Sequence, residues 1–145
     1  MDEVNDSDDL ETLLHIQCKL FDLGAYLATE AKETTCDISQ SEIDLLEGEM
    51  DKIDELLPPI RSFLLPGGCK SNSLAHVCRT ICRRAERMIY QINEQAKLDA
   101  NLLIYVNRLS DYFFLLARKQ SFIHNAEETF LFCKPSQKKN EQKNF

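Results

Sequence analysis

Apolar residues recur at three- and four-residue spacing through most of the chain, and each run closes on a turn signal. Leu10, Leu13, Leu14, Gln17, Phe21, Gly24, Ala25 and Ala28 share one helical face. A second helix begins at Ser39, where Glu42 three residues on completes a capping box. Its apolar side is Ile43, Leu46, Met50, Ile53 and Leu57, and Pro58-Pro59 stops it. The segment PPIRSFLLPGG (58–68) then turns the chain, with a glycine pair to bend it. A third helix runs from about Ser73 to Ala96, and the pattern directs Leu74, Val77, Ile81, Ala85, Met88 and Ile92 inward. The fourth, from about Asp99 to Lys119, is the most apolar, with Leu102, Leu103, Val106, Leu109, Phe113, Leu116 and Ala117 facing the core. A short fifth helix is expected around Phe122–Phe132. No run alternates with period two, so the pattern predicts an all-α antiparallel bundle of four to five helices. One domain spans residues 1–145, with 1–9 and 134–145 flexible.

Composition fits that reading. Hydrophobic residues make up 43% of the 145 positions and there are only four Gly and four Pro, which excludes a disordered chain. The net charge of −7 is unevenly placed: residues 1–57 carry 17 acids against three bases, and residues 58–145 carry seven acids against 14 bases. Overall acidity argues against broad binding to a nucleic acid backbone, so a local anion site fits the basic half better.

Other classes are also removed. No apolar run approaches the ~20 residues that cross a bilayer, so no membrane partner is expected. The acidic first residues do not make a transit peptide. Six cysteines, Cys18, Cys36, Cys69, Cys78, Cys82 and Cys133, include no CxxC pair, and reduced, mostly buried thiols in an intracellular setting are expected. His15, His76 and His124 form no ligand pattern with carboxylates, so they read as satisfied lone histidines with no metal site.

The remaining chemistry gathers in HVCRTICRRAERMIY (76–90), where four arginines and a glutamate fall within nine positions. At about 100° per residue, Arg83 lies ~40° from Arg79, Glu86 ~20° to the other side and Tyr90 ~20° away. His76 and Arg87 flank this face, and Arg84 sits at the edge of the apolar side. Glu86 is placed to hold the guanidinium groups. A solvated charged face with i,i+3 and i,i+4 pairs accounts for the pattern. So does an anion site, because like charges from Arg79 to Arg83 to Arg87 cost a few tenths of a kcal/mol per pair unless neutralised, and the arginine fork suits phosphate. On the fourth helix Asn107, Asp111, Phe114 and Arg118 fall on one line, a set that fits either bundle hydrogen bonds or the lining of a ligand cleft.

IQCKLFDLGAYLAT (16–29), LPPIRSFLLPGG (57–68), AHVCRTICRRAER (75–87) and YVNRLSD (105–111) together resemble the PduO-type ATP:cob(I)alamin adenosyltransferases, in that family's order and near its spacing. The resemblance covers roughly residues 10 to 118. It implies a five-helix bundle assembled as a homotrimer with active sites between subunits, transferring the 5′-deoxyadenosyl group of ATP to the cobalt of cob(I)alamin and releasing triphosphate. The matching positions place Arg83, Arg84, Ala85, Glu86 and Arg87 at ATP, which carries a magnesium ion, with Asn107 beside it. Arg79 and Arg83 are the catalytic pair by the same match, and Phe63 is the aromatic that presses on the lower face of the corrin.

The family's glycine- and threonine-containing phosphate loop has no counterpart among Gly24, Gly48, Gly67 and Gly68, while MDEVND resembles a family segment that would pair Asp2 with Arg79. Two other functions fit the same residues: a relative that binds corrinoid or protein without catalysis, and an interaction bundle whose charged face meets an acidic partner. A reductase or a cobalamin-dependent mutase is the partner protein the resemblance implies, with a mitochondrial location in a eukaryote and a cytoplasmic one otherwise.

Overall fold

The computed structural model describes residues 3–29 and 35–131. Helix α1 spans Ser7–Ala28, α2 Gln40–Leu56, α3 Lys70–Gln95 and α4 Ala100–Ile123, and strands β1 (Leu64–Leu65) and β2 (Thr129–Phe130) pair antiparallel with Leu64 opposite Phe130. The four-helix all-α bundle expected from periodicity is present. The tail expected to be flexible, Cys133 and Asp2 lie outside the described residues.

Helices α1 and α4 start where a carboxylate satisfies their first amides. The Asp6 carboxylate accepts from the backbone N–H groups of Asp8 and Asp9 at 3.0 and 3.2 Å to start α1. Asp99 does the same for Asn101 at 2.8 Å to start α4. The capping box expected at Ser39 and Glu42 does not form, since Ser39 makes no side-chain cap bond. Glu42 is drawn away to α1, 2.6 Å from His15 Nε2 and 3.7 Å from Lys19 Nζ.

Helix α4 is the centre of the core. Leu102, Tyr105, Val106, Leu109, Tyr112, Phe113, Leu116 and Ala117 are all buried, and α2 closes one side with Ile43, Leu46, Ile53 and Leu57. The α3 and α4 axes run antiparallel. Asn72 reaches the carbonyl of Ala117, Cys82 reaches that of Val106, and Glu86 meets Asn107, so one sequence rises as the other falls. Helix α1 packs Ile16 and Leu23 on the core and ties Asp9 to Lys119 Nζ at 2.7 Å.

Four further expectations are corrected. In α3 the residues directed inward by the pattern are outside: Leu74, Val77, Ile81, Met88 and Ile92 are exposed and Ala85 half-buried, while Asn72, Ala75, His76, Cys82 and Ile89 are buried. In α1 the predicted face is likewise largely outward, with Leu14, Gln17, Phe21, Gly24, Ala25 and Ala28 exposed. Both helices carry two usable faces; α3 buries the one with the smaller residues, and α1 buries the one with Ile16 and Leu23. The fifth helix is replaced by a turn and β2. Asn125 adopts φ 50°, the left-handed conformation that ends α4 and that Asn tolerates better than most residues. The thiols are free, but among the described cysteines only Cys82 is buried.

Candidate functional site

One side of α3 carries Asn72, His76, Arg79 and Glu86, spread over about four turns. Asn72 is buried; its amide donates to Ala117 O and Ser121 Oγ, both at 2.9 Å, and its Oδ1 accepts from Gly67 N–H at 2.9 Å. This fixes the end of the 58–68 turn segment. His76 is buried against Phe114, ring to ring at 6.2 Å and edge-on, and its Nδ1 accepts from Arg79 Nε at 3.3 Å. Burial, with Arg79 adding to it, holds the imidazole below its ordinary pKa, which keeps it neutral and able to accept.

About two turns beyond Arg79, Glu86 accepts from Asn107 Nδ2 at 2.8 Å. That bond joins the two sequence blocks expected to meet. It also corrects the role given to Glu86, whose recorded partner is the asparagine and not a guanidinium. Arg83, Arg84 and Arg87 are exposed, and none of the described acidic groups pairs with them. Three guanidinium groups with no acidic partner among the described residues are thus held at the surface beside the Glu86–Asn107 bond. Ala85 is half-buried. Tyr90, assigned to the same face, is exposed.

Phe63 stands apart from this cluster. It is 81% exposed on the segment between α2 and α3. The anchor of that segment, Asn72, precedes Arg83 by eleven residues on one helix, about 16 Å of rise. Asp111 faces solvent and Arg108 (3.3 Å), so it is not part of either group. No side chain here is poised as a nucleophile: burial pushes the Cys82 thiol up to about 11, and it donates to Val106 O.

Two features escaped the sequence pattern. Asn72 sits in the first turn of α3, where polar residues are common. Arg118, marked only as one of a line of polar positions on α4, is buried and pairs with Glu128 at 3.0 Å, a residue the pattern had placed in a helix.

Residues 1–120 match the family model described as cobalamin adenosyltransferase. The chain belongs to the cobalamin adenosyltransferase family. The corrinoid adenosyltransferase MMAB of Bos taurus is 44% identical over 115 residues, covering 75% of this chain and 48% of that one. The corrinoid adenosyltransferase of Bacillus subtilis strain 168 is 41% identical over 106 residues, 73% of this chain and 55% of that one. The chain thus spans about half the length of the curated relatives it matches. A variant of the PduO-type ATP:corrinoid adenosyltransferase of Lactobacillus reuteri, solved with cobalamin and ATP, superimposes with a TM-score of 0.82 at 33% identity, over 91% of this chain and 74% of that one. The four-helix core and its α3–α4 pairing are therefore those of the adenosyltransferase family. No described helix is long and apolar enough to cross a membrane.

Proposed function

We propose that the chain transfers the 5′-deoxyadenosyl group of ATP to the cobalt of cob(I)alamin, with Arg83, Arg84 and Arg87 receiving the triphosphate. The observation that carries this reading is the exposed arginine row beside the Glu86–Asn107 bond, with no acidic partner among the described residues. In the reaction the electron pair of cob(I)alamin forms the cobalt–C5′ bond while the C5′–O bond breaks, and its electrons leave on the triphosphate oxygen. The attacking group belongs to the substrate, so the protein's work is to align ATP and to stabilise charge on the leaving group. Arg79 supports the row from below, its Nε already directed by His76. Asn107 and Glu86 together present an amide and a carboxylate edge to the nucleotide. A magnesium ion would enter on the ATP phosphates, since among the described residues no group of three or more His, Cys, Asp or Glu is placed to hold a metal. Exposed Phe63 is the aromatic offered to the corrin face.

The same reading includes a homotrimer with the site completed at a subunit boundary. The outward apolar stripe of α3 (Leu74, Val77, Ile81, Met88) supports it, because an exposed apolar stripe of this kind marks an interaction face. A reductase or a cobalamin-dependent mutase as partner and a mitochondrial location in a eukaryote belong to the proposal as well, tested by co-purification and by fractionation.

Incubation with ATP and chemically reduced cobalamin is expected to give the spectrum of a light-sensitive alkylcobalamin. Arg83→Ala is expected to slow conversion by about 10²–10³-fold with its circular dichroism unchanged. Corrinoid binding without any conversion, or full turnover in Arg83→Ala, overturns the reading.

A further inference from the structure

We propose that Arg118 is a positioning residue that braces the Phe63 segment for corrinoid binding, an inference that rests on the role given above to Phe63. Phe63 projects from a segment with little core of its own, and backbone bonds set its direction. Leu131 N–H donates to Phe63 O at 2.7 Å, Ser62 Oγ donates to Leu131 O at 2.9 Å, and Leu64 and Leu65 pair with Phe130 and Thr129. Phe63 is therefore no better fixed than residues 128–131, which belong to no helix.

Arg118 fixes them. Its side chain projects from α4 and is only 3% exposed. Nε donates to Glu128 Oε1 at 3.0 Å, and Nη2 donates to Pro58 O at 2.8 Å and lies 3.4 Å from Glu128 Oε2. One guanidinium thus clamps the entry of the Phe63 segment to the foot of the strand that pairs with it. Asn72 closes the other end at Gly67 and bonds Ala117, the neighbour of Arg118. Gly68 adds a close approach: a Cβ there would sit 3.2 Å from Glu127 O, and its φ of 90° is left-handed.

The fork geometry is the reason for arginine. Lysine supplies the same charge but no planar pair of donors that reach a carboxylate and a carbonyl together. A braced aromatic meets the corrin without ordering itself first, and that saving appears as affinity for corrinoid and not for ATP.

The test is a comparison of Arg118→Lys, Phe63→Ala and the double variant, read by absorbance titration of cob(II)alamin and by separate titration of ATP. Arg118→Lys is expected to weaken cob(II)alamin binding about tenfold, the size of one lost charge-assisted contact, with ATP affinity within about twofold of wild type. It is also expected to reduce the fraction of bound cob(II)alamin that shows the spectrum of a displaced lower ligand. In the Phe63→Ala background the lysine substitution is expected to add nothing. If Phe63→Ala weakens corrinoid binding and Arg118→Lys does not, the brace is wrong and the Phe63 assignment stands. If Phe63→Ala has no effect, the assignment and the brace fall together. Equal weakening for both ligands means Arg118 only holds the fold and overturns the inference. Should Arg118→Lys fail to fold, Glu128→Gln weakens the same clamp from its more exposed side and is read in the same way.

Discussion

Helices α3 and α4 are neighbours of similar length, 26 and 24 residues, yet they divide their surfaces in opposite ways. α4 buries its large apolar residues and is the axis of the core. α3 turns small and polar residues toward it, and leaves Leu74, Val77, Ile81, Met88 and Ile92 outside. Polar inward positions are tolerable on α3 because each finds a partner: Asn72 at Ala117 and Ser121, Cys82 at Val106 O, Glu86 at Asn107. Over the same roughly four turns α3 also presents the arginines and leaves an apolar stripe exposed. The apolar face of α4 is covered by its own chain, and that of α3 is not.

The sharpest way to break that comparison is to truncate equal side chains on the two helices. Leu109→Ala, at a position 1% exposed, is expected to cost about 2–5 kcal/mol in urea unfolding. Ile81→Ala, at a position 61% exposed, is expected to cost the dilute single chain no more than about 0.5 kcal/mol. Comparable losses would mean that the α3 stripe belongs to the core.

A smaller effect is expected at the joint between the helices. Asn72→Ala leaves Gly67 N–H and Ser121 Oγ short of a partner in a buried setting. A loss of about 1–3 kcal/mol is expected by urea unfolding. A loss below that range would show that the joint relaxes around the missing amide.

These faces also mark what could be read from sequence. Periodicity located all four helices, and it chose the correct side of α2 and α4, where most of the large apolar residues are buried by the chain itself. It chose the wrong side of α1 and α3, because spacing reports that a stripe is apolar and is silent on whether the same chain covers it. Motif resemblance set the blocks of Glu86 and Asn107 side by side, but their hydrogen bond was not legible, because helix spacing pairs Glu86 with guanidinium groups. The Arg118–Glu128 clamp was not legible either, since its acidic half lies in a turn held by Asn125 and no periodic signal marks such a place.

Changing the outward stripe tests its proposed role with little effect on folding. Ile81→Glu is expected to leave the circular dichroism spectrum and the urea midpoint of the dilute chain nearly unchanged. Sedimentation is expected to move from an assembled species to a single chain. An Ile81→Glu protein that stays assembled would place the contact surface elsewhere.

The smallest expected effect lies on the inward face, in the pH dependence of stability through His76. Its folded pKa is depressed by burial and by Arg79, while the unfolded chain titrates near about 6.5. Between those values the unfolded state binds more protons, so stability rises with pH there and is fully present above about pH 6.5. It is lost as pH falls through that window, since a protonated Nδ1 can no longer accept from Arg79 Nε. Asp9 works in the other sense. Burial raises its carboxyl pKa, so its contribution is present at low pH and lost as pH rises. A difference curve separates the two. His76→Gln keeps an acceptor for Arg79 and removes the titration, so the gap between wild-type and variant melting temperatures is expected to change steadily from pH 7 to about pH 5. A constant gap would mean that the imidazole can charge where it sits, and the inward face of α3 would then be wetter than its neighbours on α4.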